Sequence, residues 1–520
     1  MSTRLDAARP ETAPDTNPGL RPAIHFTAKD TWLNDPNGLV FHDGLYHLFF
    51  QNNPFGNVWG NMSWGHATSP DLLHWTELPV AIACDEREDI FSGSVVVDHG
   101  NTSGFGTAGE PALVAIYTSA FKPGTEHSGT QAQSLAYSTD SGMTWQKYGG
   151  NPVLTRDSAH FRDPKVFRYE GGGVAYWVMV AVEAQHQKVV LYRSADLKSW
   201  DFLSEFGPAN ADGGEWECPD LFPLAVDGNP DNAKWVLIVN VNPGAVAGGS
   251  GGQYFVGNFD GVSFVPDAAC LAVPSGLSAL PDPEARAGAL QHCLWLDWGR
   301  DCYASVSFSN VPEDRRIIMG WMSNWDYANE LPTSPWRSAM TLPREVRLAT
   351  VDGSPRLVQK PVLPVLGEGS SFELSESAVS LRKVTLPDAE PGIAQVIEAE
   401  MRLEGPVQVE FLLFGSSDGT QGSYLRYDPA AARLTLDRNQ SGNTGFHAKF
   451  PSVESAPLEL EDGLLKLLIV ADHGSVEVFA QDGRVVLTDL VFPDADSLRN
   501  RMTVTGGETT LLKLTVSKLA

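Results

Sequence analysis

Ser138-Thr-Asp140-Ser-Gly-Met-Thr-Trp145 and Ser194-Ala-Asp196-Leu-Lys-Ser-Trp200 are copies of one turn, preceded by Ser69-Pro-Asp71-Leu-Leu-His-Trp75 and echoed more weakly by Gly257-Asn-Phe-Asp260-Gly-Val-Ser-Phe264. Their aromatic ends lie 70, 55 and 64 residues apart. Each copy puts an Asp-led turn after a strand-like run, such as 135–137 or 189–192, so that the aromatic can close one sheet against the next. A unit of this size holds about four strands, which is the content of a propeller blade.

A second set of segments is interleaved with the turns: Asn34-Asp35-Pro36-Asn37-Gly38, Arg162-Asp163-Pro164-Lys165 and Glu217-Cys218-Pro219-Asp220. Pro164 and Pro219 are 55 residues apart, the same interval as Trp145 to Trp200, so these segments recur in phase with the blades. If each opens the innermost strand of its blade, radial architecture brings the three acids to one end of the central channel. Taken singly, each has a plainer reading: a turn at 34–38, an ion pair at Arg162-Asp163, a rim carboxylate at Glu217.

Working outward, residues 24–365 are rich in Trp, Tyr, Phe and Val in short runs with hardly any helical period, which predicts an all-β domain. After residue 366 aromatics thin out and alternating strands appear at 395–403, 407–413, 433–437, 464–471 and 475–479, the pattern of a β-sandwich reaching residue 520. The stretch 359–371 has linker composition and carries the boundary. Residues 1–23 hold charges and prolines without an apolar run, so they read as a disordered leader and not as a signal peptide; the location expected on that ground is the cytoplasm.

Composition excludes several functions. The chain has 520 residues, 37 Lys plus Arg against 64 Asp plus Glu, and a net charge of −27, which opposes nucleic-acid binding. No apolar run approaches the roughly 18 residues of a membrane span. The five cysteines, Cys84, Cys218, Cys270, Cys293 and Cys302, lack CxxC spacing and read as buried free thiols. His25, His47 and His66 lack metal spacing and read as structural.

Paired carboxylates with abundant aromatics fit glycosidic chemistry: one carboxyl protonates the departing oxygen and another attacks or stabilises the cationic sugar. Trp59, in a Gly/Asn-rich loop, is a stacking surface, whereas Trp64 and Trp75 are assigned to the core. Trp32-Leu-Asn-Asp-Pro-Asn-Gly38, Phe161-Arg-Asp-Pro164 and Glu217-Cys-Pro-Asp220 resemble the three signature motifs of glycoside hydrolase family 32, the β-fructosidases. Gln51-Asn-Asn-Pro54, Trp64-Gly-His-Ala67, Phe91-Ser-Gly-Ser94, the run 297–304 and the run 320–328 resemble the same family in the same order, and the likeness reaches Asp437-Arg438 and Glu477-Val478-Phe479.

The resemblance implies a five-bladed β-propeller followed by a β-sandwich, with the unseen fifth blade near residues 294–344. It implies Asp35 as nucleophile, Glu217 as acid/base and Asp163 as the carboxylate that holds sugar hydroxyls, with Asn34, Gln51, Trp59, Phe91, Ser92 and Arg162 lining the fructosyl pocket and Trp321 or Trp325 near its rim. Under that assignment Glu217 must carry a proton and Asp35 must stay ionised, helped by donors such as Asn34, while Arg162 keeps Asp163 charged. Retention of configuration, also implied, needs the two working carboxyls about 5–5.5 Å apart, against about 6.5–9.5 Å for inversion. Neither a metal nor an organic cofactor is called for.

The stretch 320–345 looks more like microbial levanases and exo-inulinases than plant invertases, so the expected activity is exo-release of fructose from levan, inulin, fructo-oligosaccharides or sucrose. Two alternatives stand beside it: a fructosyltransferase with the same site, in which a sugar hydroxyl replaces water, including the kind that forms difructose anhydride, and a non-catalytic fructan-binding protein in which the propeller or the sandwich acts as a lectin. The expected partner is a carbohydrate, with no nucleic acid and no membrane; oligomeric state and the role of the sandwich have no sequence signal.

Overall fold

Short β-branched and aromatic runs separated by tight turns fold as antiparallel meanders, because a two-residue turn returns the chain directly beside the strand it left. A computed structural model describes residues 15, 18–107, 109–364, 372–379 and 383–519. The first blade is Trp32–His42, Leu45–Asn53, Ser63–Ser69 and Thr76–Ile82, each strand pairing with the next. The second, third and fourth blades begin with Glu88–Asp98, Phe161–Gly171 and Glu215–Val226 and repeat the meander.

The fifth blade is built from Tyr303–Ser307, Ile317–Met322, Arg344–Val351 and Ser354–Pro361. It therefore starts and ends later than the span 294–344 expected from the sequence, since its outer hairpin carries no Asp-led aromatic turn to mark it. Gln359 to Pro361, read as linker, pair with Arg344 to Val346 inside this blade, and the 365/366 boundary lies outside the described residues. First strands of the five blades touch one another in a closed ring. Phe41 N donating to Ser309 O (2.9 Å) and Ser309 N to Leu39 O (2.8 Å) join the last blade to the first.

The repeated turns lie between the third and fourth strands of their blades and share one hydrogen-bond plan. Ser69 Oγ donates to Asp71, Asp71 accepts from the backbone N–H of Leu73 and His74, and Trp75 Nε1 donates to Leu72 O at 2.9 Å. Asp140 and Asp196 accept in the same way, and Trp145 and Trp200 return their indole N–H to Gly142 O and Leu197 O. In the fourth blade Asp260 accepts from Val262 and Ser263, but Phe264 has no indole N–H to return, which is why that copy reads weakly.

The sandwich has two six-stranded sheets, and the strands expected within it are found as Ala394–Glu404, Gln408–Gly415, Arg433–Gln440, Leu464–Asp472 and Ser475–Ala480. One apolar cluster runs from Trp216, Trp295 and Trp298 of the propeller into Ile397, Phe411 and Val478 of the sandwich. Most of the leader expected over 1–23 lies outside the described residues, but Pro18–Leu20 forms a 3-10 turn and Ala23 N donates to Asp472 at 2.7 Å. Beside it His25 bridges Asp472 (2.6 Å) and Glu477 (2.7 Å), so this histidine fastens propeller to sandwich. All five cysteines are free, four of them buried and Cys84 half-buried.

Candidate active site

Every inner strand carries an irregularity near its start, where the pairing register skips: between Leu33 and Pro36, Phe91 and Gly93, Arg162 and Lys165, Glu217 and Asp220, and Tyr303 and Val306. A bulge inserts a residue that the neighbouring strand does not oppose, so it turns side chains that would pack between blades toward the channel. Asp163, Cys218 and Ala304 adopt left-handed backbone at these points, with φ of 60°, 43° and 54°. At the second blade the bulge depends on Gly93, whose Cβ would lie 2.1 Å from Ile116 O.

The result is a cup of about 430 Å³ at one end of the channel, lined by Asn34, Asp35, Gln51, Trp59, Phe91, Ser92, Arg162, Asp163, Glu217 and Trp325, together with Gln131, His160 and Glu215. All sequence-selected site residues meet there except one. Trp321 is fully buried, packed 4.8 Å from Trp325 and 6.0 Å from Trp32, and belongs to the wall behind the cup, which corrects its placement at the rim. Trp325 lines the cavity and stacks on Trp32, while Trp59 stands half-exposed at the mouth against the edge of Phe91.

Asp35 accepts from Ser92 Oγ at 2.6 Å and from Asn34 Nδ2 at 3.0 Å, and Asn34 is itself aimed by the indole N–H of Trp32 at 2.7 Å. Asp163 accepts the backbone N–H of Cys218 at 2.9 Å. The Cys218 sulfur lies 3.6 Å from Asp35 Oδ2 and 3.7 Å from Asp163 Oδ2, between the two carboxylates. Glu217 is held on two sides: Arg162 donates to Oε1 from Nη2 (3.0 Å) and Nε (3.2 Å), and the Tyr303 hydroxyl donates to Oε2. Gln51 is 2% exposed and its Nε2 has no hydrogen-bond partner among the described residues, which leaves a donor free for a sugar hydroxyl.

Burial and then the charge of Glu217 push Asp35 above the ordinary aspartate range, against the donors Ser92, Asn34 and Cys218. Asp163 is pushed up to about 7, burial again being the main cause; Arg162 opposes it, and Glu217 and Asp35 add to it. Two expectations are thereby corrected. Arg162 does not by itself keep Asp163 charged, because its Nε is 3.8 Å from that carboxylate while its donors go to Glu217 and Glu215. The second is the ease of ionising Asp35: burial and the charge of Glu217 work against its carboxylate, although Ser92 and Asn34 donate to it.

Tyr303 and Cys218 received no role from the sequence, nor did Gln131, His160 and Glu215. His160 and Glu215 each stand two residues before a selected residue, Arg162 and Glu217, and the period of two along a strand was a usable signal for them. Tyr303 lies within the run 297–304 that resembles the family, but only the bulge at Ala304 makes it the fifth member of the ring.

Comparison with known proteins gives the family. Residues 25–361 match the glycosyl hydrolases family 32 N-terminal domain and residues 370–518 match the family 32 C-terminal domain. The chain is 44% identical over 505 residues to a levanase of Bacillus subtilis, covering 96% of this chain and 70% of that one. It is 39% identical over 525 residues to an extracellular exo-inulinase of Aspergillus niger, covering 96% and 94%. Among solved structures, the exo-inulinase of Aspergillus awamori superposes with a TM-score of 0.88 at 37% identity, covering 96% of this chain and 98% of that one. The β-fructofuranosidase of Schwanniomyces occidentalis, complexed with fructosyl-erythritol, gives 0.83 at 32% identity with 97% and 98% covered.

The cytoplasmic location expected from the first residues is overturned here, because relatives matched along nearly the whole chain are named extracellular enzymes. A leader's composition is a weak guide to location beside likeness of that extent. With the acids gathered at the mouth of a propeller, a sandwich fastened to its flank, and both family models matched in order, this chain belongs to glycosyl hydrolase family 32.

Proposed function

We propose that the protein is a retaining, exo-acting β-fructosidase that removes terminal β-D-fructofuranosyl units from levan, inulin and fructo-oligosaccharides, and from sucrose. The observation that carries this reading is the convergence of Asp35, Asp163 and Glu217 in one sugar-sized cup. Relatives named levanase and exo-inulinase support the substrate class. Exo action is supported by the relatives named exo-inulinase; below the acids Lys165 Nζ donates to Ser307 O and lies 3.4 Å from Asp220, which gives the cup a floor.

In the first step an oxygen of Asp35 attacks C2 of the fructosyl unit as the bond from C2 to the leaving oxygen breaks, and Glu217 gives its proton to that oxygen. In the second, water attacks C2, Glu217 takes the water proton, and Asp35 leaves as carboxylate. Ser92 and Asn34 orient Asp35 and stabilise its charge as it departs. Asp163 accepts from ring hydroxyls and gains most where positive charge builds on the sugar. Retention is what membership of family 32 implies, and it requires the Asp35 and Glu217 carboxyls about 5–5.5 Å apart.

The test is product chromatography after incubation with levan, inulin and sucrose, in parallel with Glu217→Gln. Free fructose alone excludes the transferase, whereas difructose anhydride or longer oligosaccharides would establish it. Glu217→Gln should bind sugar without turning it over, and unchanged turnover rejects Glu217 as the acid.

A further inference from the structure

Below the Lys165 barrier the channel opens again into a second cavity of about 490 Å³, which shares no lining residue with the acid cup. Its walls come from later positions on the same inner strands and from the strands beside them. Phe167, Tyr169, Trp177 and Trp235 supply an aromatic surface, and Asp220 and Arg316 supply polar groups.

The pairing of those two groups is incomplete. Asp220 is 1% exposed; its Oδ2 accepts the Ser307 N–H at 2.6 Å, but its Oδ1 has no hydrogen-bond partner among the described residues. An orphan carboxylate oxygen at a cavity wall costs free energy until a donor reaches it. Arg316 has no carboxylate within 4 Å among the described residues, stands 4.8 Å over the Phe222 ring, and makes only long bonds of 3.4 Å to Ser307 Oγ and Phe308 O. A planar guanidinium so placed has donors left for a ligand.

We propose that this far mouth is a second carbohydrate site, which takes a neutral monosaccharide or the end of a short oligosaccharide by two adjacent hydroxyls. One hydroxyl donates to Asp220 and accepts from Arg316 or leaves that bond to its neighbour, while the apolar face of the ring lies along the aromatic wall. The charges select for neutrality. An anion would face Asp220 and Glu170, and a cation would face Lys165, Arg168 and Arg316. The volume admits one or two sugar rings and is comparable with the 430 Å³ of the acid cup. Choosing fructose as the probe rests on the function proposed above; the site's preference for a neutral polyol does not.

The test is an indole 15N NMR titration of the full-length Glu217→Gln protein with fructose, beside the same protein carrying Arg316→Met. The expected result is two sets of shifts, one at Trp59 and Trp325 and the other at Trp177 and Trp235. Arg316→Met should weaken the second set at least tenfold and leave the first unmoved; made alone, it should leave turnover unchanged. Arg316→Lys keeps the cation over Phe222 and carries the same test with smaller weakening if the methionine variant does not fold. Silence at Trp177 and Trp235 while Trp59 and Trp325 saturate overturns the second site, as does a second set that persists in both Arg316 variants. Absence of fructan hydrolysis by the unsubstituted protein would reject the proposed function instead, and is read independently of the far mouth.

Discussion

Ser92 Oγ donates to Asp35 Oδ2 over 2.6 Å, so the second blade holds the acid that the first blade presents. The bond favours the ionised carboxyl, whose ionisation burial and Glu217 oppose. Neither residue reaches that position without its own bulge. Replacing Ser92 by Ala should therefore push the Asp35 carboxyl higher still and move the acid limb of kcat/KM to higher pH. A hydrogen bond to a charged group is worth about 1.5–3 kcal/mol, so kcat/KM near pH 6 should fall by roughly ten- to a hundredfold. A pH profile of the variant on sucrose checks both the direction and the size.

Tyr303 donates to Glu217 from the fifth blade, opposite Arg162 from the third. Two fixed contacts on one carboxyl hold it in a single rotamer at the leaving oxygen. Tyr303→Phe keeps the ring packed against Trp321 and removes only the hydroxyl. We expect kcat to fall by about tenfold or more with KM little changed, the pattern of a contact that matters most in the transition state. Steady-state kinetics on inulin separates the two parameters.

Asp163 is pushed up to about 7 in the folded protein, so between the ordinary aspartate range and that value the native state binds a proton the unfolded chain does not. Its contribution to stability therefore falls as pH rises across that window. Asp163→Asn removes the penalty, and the variant should be more stable than the parent at pH 8 by about 1–3 kcal/mol while losing activity. At pH 4 the difference should largely vanish. Thermal melts at the two pH values measure it.

His25 is raised to about 9 by its bonds to Asp472 and Glu477, which outweigh the burial that alone would lower it. A histidine raised in the folded state stabilises fully below its unfolded value of about 6.5, and that stabilisation is lost as pH climbs through 9. Melting temperature should decline between pH 7 and 10. In His25→Gln the decline should flatten, and the variant should be less stable at pH 6 by about 3–5 kcal/mol, because buried Asp472 loses its cation and Glu477 keeps only Arg344. Melts of both proteins across that range decide the point.

How much was legible follows from where each signal lies. The Asp-led turns were visible because Asp71, Asp140 and Asp196 satisfy backbone N–H groups a few residues away, so the requirement is local and leaves a local pattern. The acids were visible because they recur in phase with those turns. Trp321 was misplaced for the opposite reason: whether an indole faces a cup or the wall behind it depends on Trp32 and Trp325, brought there by different strands. The protonation pattern was equally hidden, since burial by all five blades sets it and no motif records burial.

From the amino-acid chain alone came the all-β architecture, the order of propeller and sandwich, and the three carboxylates, which rest on periods and short spacings, while most of their neighbours came from the resemblance to family 32. Closure of the ring settled what those patterns could not: that Tyr303 grips Glu217, that Asp163 resists losing its proton, and that the channel has a second mouth. The physical reason is that these properties belong to distances between blades. Such distances exist only once five meanders have packed around one axis and their bulged inner strands face each other across it.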